Sequence, residues 1–197
     1  MKKFLSWGRV GVLALVSGVV FVTACETVQT TQSGVVGVDR SQRMAISSQE
    51  INQAASQQYA QLIAQEKRKG NVNKDPAQYN RVRTISQRLI QQVGIFRPDA
   101  RNWNWEFNVL TSPEVNAWCM PGGKIAVYSG LIEKLNVTDD ELAAVIGHEI
   151  SHALREHSRE RASEQAVAGI GIQIISAVTG LGDLGSQGME FAYMGLL

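Results

Sequence analysis

The sequence predicts an α+β fold in which two amphipathic helices precede a small sheet and further helix follows it. Three observations carry that expectation. Apolar residues recur at helical spacing from Ile51 to Ile63 and from Tyr79 to Ile90, the pattern changes to period two between Trp103 and Val109, and helical spacing returns after Thr138. Helices grouped before and after the strands, rather than alternating with them, belong to the α+β class. Length and composition agree with one packed domain, at 197 residues, 44% hydrophobic and 19% charged. A net charge of +1 and no basic stripe give no electrostatic footprint for nucleic acid. No internal repeat marks a solenoid.

The N-terminus has the layout of an export signal over residues 1–24. Lys2, Lys3 and Arg9 precede the apolar run "VGVLALVSGVVFV", and small residues follow it. That run is shorter than the roughly 20 apolar residues a spanning helix needs. Val22-Thr23-Ala24-Cys25 resembles a bacterial lipobox, which implies lipid on Cys25 and a membrane anchor at the mature N-terminus. By the same resemblance, Glu26 directs the anchor towards the outer membrane, on the periplasmic side of the envelope. A plain anchor helix with an incidental cysteine is the competing reading. Residues 25–45 are polar and read as a flexible tether, leaving residues 46–197 as the folded domain. With Cys25 lipidated, Cys119 has no partner within the chain and is expected to be buried and inert.

Each element of the body carries its own signal. Ser47 and Glu50 form a capping box ahead of Ile51, Ala55, Tyr59, Leu62 and Ile63, and Gly70 ends that helix. Asp75 as N-cap and Pro76 at the first helical position start the second, whose apolar face is Tyr79, Val82, Ile85, Leu89 and Ile90. "NWNWEFNVL" alternates Trp103, Trp105, Phe107 and Val109 as a half-buried strand would. "VNAWCM" and "KIAVYS" are two further short strands around the turn "PGGK", and "SGLIEKL" is a short helix. Thr138 and Glu141 make a second capping box, with Asp139 and Asp140 near the positive end of the helix dipole. Leu142, Val145, Ile146 and Ile150 form the buried stripe of a helix expected to run to about Glu164. The apolar stretch "AVAGIGIQIISAVTGLG" reads as a core or hairpin helix, with a membrane-inserted one as the alternative.

The chemistry sits on that capped helix. All three histidines of the chain, His148, His152 and His157, fall within ten residues, and His148-Glu149-x-x-His152 fits the zinc-protease motif. Residues four apart lie about 40° apart around a helix and about 6 Å along it, so two imidazoles converge on one Zn²⁺. Glu149 sits on the same side and reaches the water rather than the metal, as a general base requires. A charged amphipathic helix that holds the motif by chance is the bland alternative. His157 falls about 140° around an uninterrupted helix from His152, so it is expected on the surface or in packing. A catalytic zinc needs three protein ligands. Glu156, Glu160 and Glu164 lie too far along the helix for joint coordination, and Asp183 and Glu190 carry no ligand signature.

Residues Val115 to Arg161, with Asn-Ala, Pro-Gly-Gly, Ser-Gly-Leu, Asp-Glu-Leu-Ala-Ala-Val and His-Glu-x-x-His in order, resemble the core of the HtpX-like and CAAX-prenyl-protease-like zinc metallopeptidases, peptidase family 48. The likeness is greatest to periplasmic lipoprotein members of the LoiP and BepA type. It implies a zincin-like (gluzincin) fold with a small mixed sheet packed on the active-site helix. It also implies one Zn²⁺ per chain held by His148 and His152, Glu149 as base, and protein or peptide substrates. Asn116 and Ala117 would lie on an edge strand that pairs with substrate backbone, although Asn116 after Pro113 also suits a turn. The family's third ligand is a Glu in a downstream Glu-x-Glu-Ala-Asp-like segment, which this sequence lacks. The expectation is therefore a chain truncated at its C-terminus, with the third ligand beyond Leu197. Two functions follow: an envelope zinc endopeptidase acting on unfolded or misassembled proteins, or a non-catalytic, chaperone-like lipoprotein that binds them.

Overall fold

A computed structural model describes residues 25–32 and 40–167. The expected export signal over residues 1–24, Asp183, Glu190 and most of the apolar stretch after Gln165 lie outside the described residues. Among those described, no helix is long and apolar enough to cross a membrane.

From Ser48 onward two long helices precede the main sheet and further helix follows it, as expected, and two short strands stand ahead of them. Strands β1 (Glu26–Val28) and β2 (Gln42–Met44) come first, then helices α1 (Ser48–Arg68), α2 (Pro76–Ile90) and α3 (Val93–Phe96). A 3-10 turn (Pro98–Asn102) leads into β3 (Glu106–Leu110), β4 (Ala117–Met120) and β5 (Lys124–Tyr128), followed by α4 (Ser129–Leu135), α5 (Asp139–Leu154) and α6 (His157–Val167). Both capping boxes form: the Ser47 side chain accepts from the Glu50 amide, and Thr138 from the Glu141 amide. Asp75 accepts from the amides of Ala77 and Gln78 at the start of α2. Gly122 and Gly123 take φ of 76° and 82° between β4 and β5, where a side chain would be strained.

The main sheet is mixed. Its order is β3-β5-β4, with β3 parallel and β4 antiparallel to β5. Every residue of β4 and β5 is buried because both faces are covered. Val109, Ala117, Cys119, Ile125 and Val127 pack in one cluster with α2 and α5 residues Val82, Ile85, Leu142 and Ile146. Leu110, Trp118, Met120, Ala126 and Tyr128 pack in a second cluster with Ala55, Tyr59 and Ile63 of α1. Leu142 and Ile146 are fully enclosed, and truncating a side chain so placed costs about 2–5 kcal/mol.

Three expectations are corrected. The first strand begins at Glu106, not at Trp103, because Trp105 donates its indole N–H to the Ala100 carbonyl and stacks on Trp103 at 5.4 Å. The polar stretch after Cys25 is not free along its described length. β1 and β2 pair, and Gln42 is buried against α6, donating to Glu160 at 2.8 Å and to the Arg155 carbonyl at 2.9 Å. The long helix does not reach Glu164: it ends at Leu154, and α6 starts afresh at His157.

Glu156 makes that break. Its φ is 52°, in the left-handed region, and its carboxylate is buried between Arg97 at 2.9 Å and Arg159 at 2.7 Å. The Ser48 hydroxyl donates a further bond at 2.7 Å. Burial pushes the carboxyl pKa up, but the Arg159 and Ser48 hydrogen bonds and the Arg97 charge outweigh it and hold it below the ordinary carboxylate range.

Replacing Glu156 with Gln removes the close carboxylate partner of the buried Arg159 and one of the two carboxylates that pair with Arg97, and should cost about 3 kcal/mol at neutral pH. Because the native carboxyl titrates below its unfolded value, the stability it contributes is present above the unfolded pKa and fades as pH falls through the folded one. Urea denaturation of both proteins near pH 7 and near pH 3 should show the gap closing in acid.

Candidate metal centre

Helix α5 presents its motif because its apolar stripe faces inward. Leu142, Ile146, Ile150, Ala153 and Leu154 are buried, which turns His148 to solvent and leaves His152 half-buried beside it. The two Nε2 atoms lie 3.0 Å apart, with the rings inclined at 78°. Two ligands of a tetrahedral zinc with bonds of about 2.0–2.1 Å stand about 3.3 Å apart, so the spacing of this pair suits a shared ion. Among the described residues, no group of three or more His, Cys, Asp or Glu side chains is placed to hold one. The described donor set is thus a histidine pair.

Glu149 lies on the buried side of α5. Burial alone pushes its carboxyl up to about 7. Cys119, on the adjoining strand β4, is buried as expected, and its thiol is pushed up by that burial and by the Glu149 charge. A carboxyl at about 7 is poised to take and return a proton near neutral pH.

His157 is not where an uninterrupted helix would put it. The turn at Glu156 swings it back, and its Nδ1 lies 2.7 Å from Nδ1 of His152. It meets the ring nitrogen opposite the one that faces His148, so it is not placed to share an ion with that pair. Burial lowers the pKa of His152, reinforced by His157 and His148, and burial also lowers that of His157, where Arg40, Arg155 and Arg161 oppose the charge of Glu160. Both rings are held towards neutrality. No local signal announces this contact, since glutamate rarely adopts a left-handed backbone and no glycine marks the break.

Asn116 and Ala117 stand at the start of β4, Asn116 half-buried and Ala117 buried. β4 is an edge strand, and its outer side pairs with no other strand among the described residues. The Asn116 carbonyl accepts from the Tyr128 amide at 3.0 Å, and its side chain accepts from the Ala117 amide at 2.8 Å. Asn116 therefore shapes the entry to the strand, while the Ala117 side chain is buried. Gly130 supports that entry from below: a Cβ there would lie 2.3 Å from the Glu114 carbonyl oxygen and 2.6 Å from the Pro113 backbone. Cys25 is exposed, directly ahead of β1.

A family model described as peptidase family M48 matches residues 76–196. The chain is similar to the bovine mitochondrial metalloendopeptidase OMA1, at 38% identity over 88 residues, which is 44% of this chain and 16% of the relative. The metalloprotease LoiP of Escherichia coli is 36% identical over 80 residues, covering 41% of this chain and 30% of the relative. The β-barrel assembly-enhancing protease of Yersinia pestis is 28% identical over 112 residues, covering 57% and 20%. The matched stretches thus span less than a third of each of these relatives.

Two outcomes follow. A buried Glu whose folded pKa is raised destabilises the fold as pH climbs from its unfolded value through about 7. In chelator, Glu149→Gln should therefore gain on the order of 2 kcal/mol near pH 8 and little near pH 5, read by urea unfolding. Gly130→Ala should displace the Pro113–Glu114 backbone and lower the stability of the fold, read by urea unfolding.

Proposed function

The chain belongs to peptidase family M48, and from that membership we propose that it is a zinc-dependent endopeptidase of the bacterial cell envelope. The supporting observation is the pair of Nε2 atoms 3.0 Å apart on a capped helix, beside a buried carboxyl with a pKa of about 7. A bound Zn²⁺ supplies a Lewis acid and lowers the pKa of the attacking water. His148 and His152 would hold the ion, their Nε2 atoms being the two that face each other. Glu149 takes the proton from the attacking water and passes it to the leaving amine. The free edge of β4, entered through Asn116 and Ala117, offers backbone N–H and C=O groups to an extended peptide.

The substrates proposed are unfolded or misassembled envelope proteins. The lipobox-like segment before Cys25 supports the envelope, as does the likeness to a β-barrel assembly-enhancing protease. Lipid on Cys25 would then hold the body close to a membrane surface, most simply the outer membrane. A second reading, a non-catalytic chaperone-like binder, is favoured by the one observation that the described residues offer two ligands and not three.

Zinc content and casein cleavage separate these readings. The peptidase should hold one zinc. Glu149→Gln should keep it and lose cleavage by about 100-fold or more, whereas His148→Ala should lose both. Cleavage that survives Glu149→Gln would sink the mechanism, and client binding without cleavage in any form would favour the binder. Cys25→Ser should move the protein from the membrane fraction to the soluble one, and an unchanged membrane fraction would remove the lipid anchor.

A further inference from the structure

Outside the pair that faces the ion, the site contains one more polar side chain whose placement the proposed chemistry has not used. His157 meets His152 Nδ1 to Nδ1 at 2.7 Å, with ring centroids 4.8 Å apart and planes at 70°. A contact this short between two nitrogens requires that one carry the proton and the other a lone pair. An imidazole that gives its Nε2 lone pair to a metal keeps its proton on Nδ1. His152 as a zinc ligand must therefore be the donor in this contact and His157 the acceptor.

We propose that His157 is a positioning residue for the metal site, accepting the Nδ1–H of His152 and so fixing both the tautomer and the ring orientation that aim His152 Nε2 at the ion. This rests on the reading of His148 and His152 as zinc ligands. The backbone is built to hold the contact. Glu156 turns the chain through the left-handed region, and its buried carboxylate is clamped by Arg97 and Arg159. Its amide donates to the Ala153 carbonyl at 3.1 Å and its carbonyl accepts from the Glu160 amide at 2.9 Å, which ties the turn to both helices. Thr30 and Gln42 bond the Arg155 carbonyl from the β1–β2 side. The ring of His157 is thus presented by a turn fastened on both flanks, and an acceptor presented in that way restricts a ligand more than a mobile water would.

The test compares His157→Asn with His157→Phe in the full chain. Asparagine places a carbonyl oxygen where Nδ1 stands and keeps an acceptor, while phenylalanine fills the space without one. Circular dichroism and unfolding of the metal-free proteins show whether both variants fold. Zinc affinity by chelator competition should fall about 10–100-fold in the Phe variant and return towards the parent value in the Asn variant. Long-range ¹⁵N–¹H spectra of the zinc-loaded protein, with only three histidines to resolve, should place the His152 proton on Nδ1. Equal zinc affinity in parent and Phe variant, or equal loss in both variants, would overturn the proposal. A parent chain that binds no zinc would sink the peptidase reading separately. The metal-free spectra would then decide His157: a His152 Nδ1–H that depends on residue 157 supports the role, and an Nε2–H on His152 refutes it.

Discussion

A single buried carboxylate organises the half of the molecule that carries the chemistry. Glu156 occupies the left-handed region, which costs a non-glycine residue about 1–2 kcal/mol, and it is enclosed, which costs an unpaired carboxylate several more. Neither cost would be tolerated alone. Arg97 from the segment after α3 and Arg159 from α6 neutralise it, and Ser48 from the first turn of α1 completes its hydrogen bonding. One side chain thereby joins three parts of the chain and ends α5 where it does.

The consequences spread from that turn. Ending α5 at Leu154 lets α6 start in a new direction and returns His157 to His152 of the histidine pair. It also leaves the Arg155 carbonyl free to accept from Thr30 and Gln42, so the strands nearest Cys25 dock on the same corner as the histidines. Arg40 extends that docking through its ion pair with Glu160 at 2.7 Å. Any anchor at Cys25 would therefore be coupled closely to the body rather than through a long free linker.

The sheet sets the other side of the site. Because α1 covers one face and α2 with α5 the other, β4 and β5 are buried throughout, and among the described residues the outer side of β4 pairs with no other strand. The same packing that seats α5 against β4 encloses Glu149 and raises its pKa to about 7. Position and proton affinity of Glu149 thus have one cause, the apolar wall between helix and sheet. The M48 match, covering residues 76–196, includes that wall and the histidine pair but not α1 or the N-terminal strands.

Helix starts were legible in the sequence, since a capping box or an Asp-Pro pair satisfies orphan amides within four residues. The histidine pair was legible for the same reason: four residues along a helix is a local distance, and α5 keeps the Nε2 atoms of His148 and His152 at 3.0 Å. The beginning of β3 was not, because the alternation of Trp103 and Trp105 describes their spacing and not the Ala100 carbonyl that draws Trp105 aside. Nor was Leu110 as a core residue, because burial on both faces depends on α1 arriving from 40 or more residues upstream. Helix ends and the place of His157 depended on Arg97 and Arg159 reaching Glu156 from opposite sides. What the sequence determined by itself is therefore the short-range part: caps, periods and the spacing of the motif. Only the tertiary structure decided where α5 stops, which face hides Glu149 and which nitrogen His157 meets, because those outcomes turn on charges and apolar surfaces brought together from distant parts of the chain.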